Sequence, residues 1–237
     1  MARGDARWIA PIRHQRPVVI TAIIGFILLV CWGLAIRGNA AVSHQGQQLL
    51  IAINSANSPA LDTVSRLVSM VFEPAGALVV IIVIVAITAL ACRRLGDALF
   101  TGFVIGVVYG STYLVKLIVQ RPRPSALPHI VPGLVVDPTL SFPSGHVAMI
   151  SSVVVVLILI VRRREYRVTI AIVGLVTAVV VAYARLYAGA HFPEDVIASM
   201  LYALAVGPGL FAILYRIDAR LGVVARVNSL RLRPQSR

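Results

Sequence analysis

Three polar blocks, separated by apolar stretches, hold the residues of this chain that could do chemistry. In chain order these are Lys116 and Arg123 in the first block, Ser144, Gly145 and His146 in the second, and Arg185, His191 and Asp195 in the third. Three cations gathered at one place suit a multiply charged anion, and two histidines beside them suit a reaction at that anion. Lys116 is the one lysine among 22 basic residues, which argues against a mere anchoring role.

The cations and the second block have the chemistry of a phosphate site. Arginine offers a planar fork of donors to a tetrahedral phosphate, and lysine offers a point charge. Ser144 and Gly145 stand where a helix is expected to begin, and the free N–H groups and positive dipole of a helix N-terminus bind anions. A glycine there lets the ligand approach the backbone closely. We therefore expect these residues to bind a phosphoryl group.

The third block contains the parts of an activated nucleophile. His191 and Asp195 are four residues apart. If Pro193 occupies the first turn of a helix, Asp195 lies near the His191 ring and holds one nitrogen protonated, which leaves the other free to attack. His146 is then available as the proton donor.

The composition indicates the kind of scaffold that must position these blocks. The chain is 59% hydrophobic and 13% charged, with a mean hydropathy of +0.89, which is typical of a helical membrane protein and not of a soluble domain. The net charge of +13 does not indicate nucleic-acid binding, because the arginines stand in short clusters between apolar runs. We expect no nucleic-acid partner.

Six apolar stretches are long enough to cross a bilayer, which takes about 20 helical residues. The predicted spans lie near 18–36, 67–91, 97–118, 146–161, 168–189 and 195–215. In lipid only helices satisfy their own backbone groups within such segments. The sequence therefore predicts an all-α fold, a six-span transmembrane bundle that forms a single domain over residues 1–237.

Basic residues orient this bundle. Most of the 22 basic residues lie in the N-terminal segment, the second and fourth connections and the C-terminal tail. Connections rich in Lys and Arg stay in the cytoplasm, so both termini are predicted to be cytoplasmic. All three polar blocks then fall at the outer ends of spans, at one membrane depth. The Arg-rich cytoplasmic face is expected to rest on anionic lipid headgroups.

The three blocks match a known family. The pattern Lys-x6-Arg-Pro, then Pro-Ser-Gly-His, then Arg-x5-His-x3-Asp over residues 116–195 resembles the type-2 phosphatidic acid phosphatase superfamily, whose site is shared with the vanadium haloperoxidases. One departure is visible, since the third block of the family usually begins Ser-Arg and here Ala184 replaces the serine. That substitution removes one possible hydroxyl donor.

The resemblance implies a role for each residue. His191 would be the nucleophile that forms a phosphohistidine, His146 would protonate the leaving group, and Asp195 would orient His191. The phosphoryl group would be bound by Lys116, Arg123, Ser144, Gly145 and Arg185. No metal and no other cofactor is implied.

These observations favour an integral-membrane lipid phosphatase with its site on the external face of the cell membrane. A polyprenyl diphosphate is the favoured substrate by family analogy, and phosphatidate or phosphatidylglycerophosphate also fit. A transporter or channel for a phosphate-like anion is the first alternative, although no span carries a polar stripe through its centre. A non-catalytic lipid-binding protein is the second, although both histidines are present. The oligomeric state stays open.

Other polar residues are predicted to have structural roles. Arg121 could assist the phosphate but is expected at the surface. Glu73, about a turn and a half into the second span, is expected to pair or hydrogen-bond at the outer interface. Asp97 follows Arg93 by four residues and is expected to pair with it. The segment 41–66 is predicted to be an amphipathic interfacial helix or a packed loop.

The long outer loop 119–143 offers one further chemical possibility. His129 and Asp137 could join His146 and His191 in a zinc site. No paired metal-ligand spacing supports that reading, so we expect no zinc site.

Overall fold

The computed structural model describes residues 9, 11–12, 14–136 and 140–230. The described part of the chain is helical and contains no strand, which confirms the all-α prediction. The helices are α1 (Gln15–Arg37), α2 (Ala40–Ser55), α3 (Pro59–Phe72), α4 (Pro74–Cys92), α5 (Leu95–Val119), α6 (Gly145–Ile160), α7 (Arg164–Tyr187), α8 (Pro193–Leu221) and α9 (Val223–Leu230). Asp137 and the terminal arginines Arg3, Arg7, Arg13, Arg231, Arg233 and Arg237 lie outside the described residues.

Five of these helices are long and apolar enough to cross a membrane, namely α1, α4, α5, α7 and α8. Helix α6 is apolar but has only 16 residues. The chain is therefore a multi-pass membrane protein, while the count of six spans and the side of the termini stay predictions. Large apolar side chains on the outward faces of α1, α4 and α7 are exposed, as lipid contact requires.

The second span begins later than the sequence predicted. Residues 67–72 of the expected span 67–91 belong to α3, and the apolar helix α4 starts at Pro74. Proline has no backbone N–H to continue a preceding helix, and it forces the residue before it into extended backbone. Glu73 accordingly has φ −62° and ψ 160°, and it is an exposed cap between two helices instead of a residue inside a span.

Helix α8 is the centre of the bundle. It packs against α1 on one side and α6 on the other, and α5 contacts α4, α6 and α8. Small residues permit the close approach of α1 and α8, since a Cβ built on Gly209 would come within 2.3 Å of the Ala22 Cβ. The ends of α5, α6, α7 and α8, which carry the three polar blocks, are brought together by this packing.

The segment 41–66 forms most of two helices, α2 and α3, outside the apolar bundle. Asn39 caps α2 by accepting from the Val42 N–H at 3.2 Å, and Ser58 caps α3 by accepting from the Leu61 N–H at 3.2 Å. The buried face of α3 carries Asp62, Ser65, Val68, Ser69 and Phe72. The segment is thus helical, as one of the two alternatives predicted, but in two helices with a break before Pro59. Its position at the membrane interface stays a prediction.

Asp97 does not pair with Arg93. Its carboxylate is fully buried and accepts a hydrogen bond from Asn228 Nδ2 of α9 at 3.1 Å. Arg93 ends α4 in a left-handed conformation (φ 53°) and is exposed. Packing of α9 against α5 therefore overrides the local i, i+4 pairing.

Candidate active site

The turn after α5 directs the chain that carries Arg123 back toward the start of α6. Gln120 adopts a left-handed conformation (φ 51°) and donates its N–H to the Lys116 carbonyl at 2.9 Å, so the chain leaves the helix one turn after Lys116. The long loop then closes on itself, since Ser141 donates its N–H to Arg121 O at 2.8 Å and its hydroxyl to Pro122 O at 2.9 Å. This closure brings the start of α6 beside the end of α5.

Side-chain amides of α2 hold the outer part of the same loop. Gln47 Nε2 donates to Ser125 O at 3.2 Å, and the Ser125 N–H donates back to Gln47 Oε1 at 3.1 Å. Asn54 makes the equivalent pair with His129, at 3.0 and 2.9 Å, and its Nδ2 also donates to Tyr187 O at 3.0 Å. A long loop without helices is thereby fixed at two points.

The second block is the first turn of α6. Ser144 is the N-cap and Gly145 the first helical residue, so the N–H groups of this turn have no helical partner. A Cβ built on Gly145 would meet no protein atom within 4 Å, so packing within the protein does not demand a glycine there. Close approach of a ligand to the backbone is the remaining reason for it.

The third block folds back through a glycine. Gly189 has φ 66° and lies where a Cβ would come within 2.8 Å of Leu127 Cδ1, so both conformation and space require glycine. The Ala190 N–H donates to Arg185 O at 3.0 Å. As the sequence predicted, Pro193 occupies the first turn of α8. His191 lies in the short return between the two helices.

The three predicted phosphate-binding cations surround His191. The ring is 1% exposed, and burial lowers the pKa of His191 well below its usual 6.5. The charges of Arg123, Arg185 and Lys116 lower that pKa further, in this order. His191 is therefore an uncharged imidazole at neutral pH, which is the form that can act as a nucleophile.

Each cation is held by an acceptor of the protein. Lys116 Nζ donates to Leu140 O at 2.6 Å, and Arg123 Nη1 donates to Ala190 O at 2.8 Å. Arg185 Nη1 donates to the Ser69 hydroxyl. These contacts fix the three side chains before any ligand binds, which is the condition for a preorganised anion site.

His146 lies within electrostatic range of Arg185, His191 and Arg123. The buried atoms His146 Nε2, Ser144 Oγ and Arg185 Nε have no hydrogen-bond partner among the described residues. An imidazole, a hydroxyl and a guanidinium are groups that hydrogen-bond phosphate oxygens. The structure thus brings all eight residues of the three blocks to one place.

Asp195 is close to His191 but does not bond it directly. Asp195 Oδ2 lies 3.6 Å from His191 Nδ1, beyond hydrogen-bond range, and accepts from the Phe192 N–H at 2.8 Å. His191 Nδ1 is buried and has no hydrogen-bond partner among the described residues. The orienting role expected for Asp195 therefore stays a prediction.

Arg121 is not at the surface, so that expectation was wrong. It is 1% exposed, and its Nη1 bonds Asp195 Oδ1 at 2.8 Å and Glu194 Oε2 at 3.1 Å. Its guanidinium carbon lies 4.2 Å from the centre of the Phe192 ring. A buried carboxylate needs a compensating cation, which draws Arg121 inward. The one signal in the sequence was charge balance, because the other cations of the blocks were assigned to phosphate and Asp195 was left without a cation.

His129 pairs with a carboxylate of α3. Its Nε2 lies 2.8 Å from Asp62 Oδ1, and the same oxygen accepts from Tyr187 Oη at 2.6 Å. These two hydrogen bonds hold the pKa of Asp62 below its usual value. Among the described residues no group of three His, Cys, Asp or Glu side chains has the geometry of a metal site.

Comparison with known proteins gives a consistent result. The family model described as the PAP2 superfamily matches residues 97–218, which is slightly more than half of the 237 residues. A protein named undecaprenyl-diphosphatase, from Sulfolobus acidocaldarius, is 36% identical over 110 residues. That alignment covers 46% of this chain and 50% of the relative, so the chain spans about half the length of the curated relative it matches.

Two solved structures are similar in fold. One is a transmembrane PAP2-type phosphatidylglycerolphosphate phosphatase from Bacillus subtilis, with a TM-score of 0.62 and 22% identity over 86% of this chain and 96% of that one. The other is Aquifex aeolicus LpxE, with a TM-score of 0.52 and 23% identity over 70% of this chain and 93% of that one. At these identities the two structures show a shared fold.

The pairing of Arg121 leads to a stability prediction. Arg121→Met removes the cation from two carboxylates, one of them fully buried, and should destabilise the protein by about 3–5 kcal/mol. Arg121→Lys keeps the charge but loses the planar fork and the contact with Phe192, so its effect should be smaller. Thermal unfolding of the detergent-solubilised protein measures both. Arg37→Met, at an exposed position, is the matched control, and equal melting temperatures for it and Arg121→Met would contradict the buried pairing.

Proposed function

The chain belongs to the PAP2 superfamily, and we propose that it is a membrane lipid phosphatase that hydrolyses a polyprenyl diphosphate through a phosphohistidine intermediate. The observation that carries this proposal is the meeting of two histidines and three cations at one end of the bundle. A site that only bound or passed an anion would need the cations but neither a neutral buried histidine nor a second histidine beside it.

The first step forms a nitrogen–phosphorus bond. The neutral ring of His191 attacks the terminal phosphorus through Nε2, because Nδ1 is the nitrogen that faces Asp195. The anionic diphosphate offsets the cations around His146, so this ring is protonated when the substrate is bound. The bond from that phosphorus to the leaving oxygen breaks, and the imidazolium of His146 gives the oxygen its proton, so a polyprenyl monophosphate leaves. Asp195 stabilises the positive charge that develops on the His191 ring. The phosphoryl oxygens are held by Lys116, Arg123, Ser144, Gly145 and Arg185.

The second step returns the enzyme to its starting state. A water molecule attacks the phosphohistidine, and His146, now unprotonated, takes the proton of that water. The nitrogen–phosphorus bond breaks, inorganic phosphate is released, and His191 is again a neutral imidazole. The preorganised cations neutralise the charge that develops on the phosphoryl oxygens in both steps. The proposal therefore requires no metal ion.

Three features support a lipid diphosphate as the substrate. The site lies at the ends of apolar helices, so a lipid can stay in the bilayer while its headgroup enters. A cavity of about 490 Å³ adjoins it, with Arg123 and Gly189 in its wall together with apolar residues of the outer loop. The relative named undecaprenyl-diphosphatase is 36% identical to this chain over 110 residues. That similarity is our reason for proposing a polyprenyl diphosphate and not phosphatidate or phosphatidylglycerophosphate.

We place the site on the external face. Helix α5 has 25 residues, a length of about 37 Å, with Arg93 and Arg94 before its start and Lys116 near its end. Arg162, Arg163 and Arg164 likewise follow α6, at the end opposite Ser144. Clusters of arginine stay in the cytoplasm, which supports an external site in the cell membrane and cytoplasmic termini.

A substrate panel tests the function. Purified protein in detergent is given a polyprenyl diphosphate, phosphatidate or phosphatidylglycerophosphate, and released phosphate is measured with and without EDTA or vanadate. We expect fastest release from the diphosphate, no effect of EDTA, and inhibition by vanadate, which mimics the trigonal-bipyramidal phosphoryl centre. Activity that EDTA abolishes and a divalent ion restores would refute the metal-free mechanism, and release from none of the lipids would refute the proposal.

Replacement of His191 and replacement of His146 should impair different steps of the reaction. His191→Ala should form no phosphoenzyme, because the attacking nitrogen is gone. His146→Ala should lose about 10²–10⁴-fold in rate on a lipid substrate but recover much of it on a p-nitrophenyl ester, whose leaving group needs no proton. Acid-quench trapping with labelled substrate and peptide mapping measure this. Label on Ser144, or label retained in His191→Ala, would show that another residue is the nucleophile.

The side of the site can be read by labelling. Ser125 lies in the outer loop and is exposed, so a single cysteine there, with Cys31 and Cys92 replaced by serine, should react with a membrane-impermeant thiol reagent on intact cells. A single cysteine at Arg94 is the control and should react after disruption only. The reverse pattern would place the site in the cytoplasm.

A further inference from the structure

One face of α3 carries a row of buried polar groups against the end of α7. Asp62 accepts from Tyr187 Oη at 2.6 Å, and Ser65 Oγ donates to Ala184 O at 3.0 Å. The later residue of α3 contacts the earlier residue of α7, so the two helices run antiparallel here. Ser69 follows one turn later on the same face. We call Asp62, Ser65 and Ser69 the polar row of α3.

The first two members of the polar row attach α3 to α7 without touching the proposed catalytic groups. Ser65 is 1% exposed, and its hydroxyl bonds a backbone carbonyl. Asp62 bonds Tyr187 and also His129 of the outer loop. These buried hydrogen bonds fix the height and rotation of α3 relative to α7.

Ser69 contacts one of the proposed phosphate-binding groups directly. Its hydroxyl accepts a hydrogen bond from Arg185 Nη1. Ser69 is 2% exposed and Arg185 4% exposed, so water does not compete for this contact. A guanidinium is planar, and one fixed Nη therefore sets the direction in which the remaining N–H groups of Arg185 point.

The polar row also supplies the hydroxyl that the third block lacks because it has Ala184. Ala184 stands where the family resemblance leads one to expect a serine beside the arginine, and alanine has no hydroxyl. In this chain a hydroxyl reaches Arg185 from a different helix, through Ser69. The support of the arginine is thus supplied from α3, outside the three blocks.

We propose that Ser69 is a positioning residue, which aims Arg185 at the phosphoryl oxygens. The inference rests on the proposed function, because it assigns Ser69 to the same phosphoryl site. It makes α3 a support of the active site, although the phosphoryl group itself is assigned to residues of the three blocks.

The test compares Ser69→Ala with Ser65→Ala. Both remove one buried hydroxyl from the same face of α3, but only Ser69 contacts Arg185. We expect Ser69→Ala to lower kcat/KM about tenfold and to raise the Ki for vanadate about tenfold, the size of one hydrogen bond to a charged group. Ser65→Ala should leave both within about twofold. The Ki does not depend on the fraction of protein that is folded, so a structural loss alone would not move it.

A double-mutant cycle shows whether Ser69 acts through Arg185. Vanadate affinity is measured for Arg185→Gln with and without Ser69→Ala, from the vanadate-dependent rise in melting temperature. We expect Ser69→Ala to have no further effect once Arg185 is replaced. A full tenfold loss in the Arg185→Gln background, or an unchanged Ki in Ser69→Ala alone, would overturn the inference. The proposed function is tested on the wild-type protein alone. Failure of that protein to release phosphate or to bind vanadate would overturn the proposed function and not the role of Ser69.

Discussion

The ion pair between Arg121 and the carboxylates at the start of α8 is the interaction on which the site depends. It joins the chain just after α5 to the first turn of α8, across the full width of the polar region. Through Asp195 it reaches further, since the Asp195 carbonyl accepts the Ser144 N–H at 3.2 Å and the Ser199 hydroxyl at 2.8 Å. Loss of this one cation would leave buried charge uncompensated and would loosen all three blocks together.

The remaining support comes from the helices outside the apolar bundle. Gln47 and Asn54 of α2 bond the backbone of the outer loop, and the polar row of α3 bonds the end of α7. The site is thus held from the membrane side by packed spans and from the outer side by hydrogen bonds. Such a division suits a site that must exclude water from its cations and still admit a headgroup at its rim.

The meeting of the eight residues of the three blocks was predictable from the sequence. A phosphate site requires those residue types at a common depth in the membrane, and the ends of the apolar spans give the depth of each residue. Their supports were harder to predict. Arg121 was placed at the surface because a single arginine beside a proline carries no local sign of burial, and its partners lie more than 70 residues away. The break at Glu73 was missed because an apolar run continues on both sides of Pro74. Ser69 gave no signal of its own, since a serine on an amphipathic helix reads as neutral until the neighbouring helix is known.

The sequence distance between Arg121 and its partners has a consequence for biogenesis. Arg121 leaves the ribosome 74 residues before Asp195, so the outer loop is translated before the carboxylates that neutralise its arginine exist. The active site cannot assemble on a nascent chain that lacks the last span, however well the earlier spans have inserted. We therefore expect a truncated product to be inactive, and insertion of α8 to be the event that completes the bundle and the proposed site.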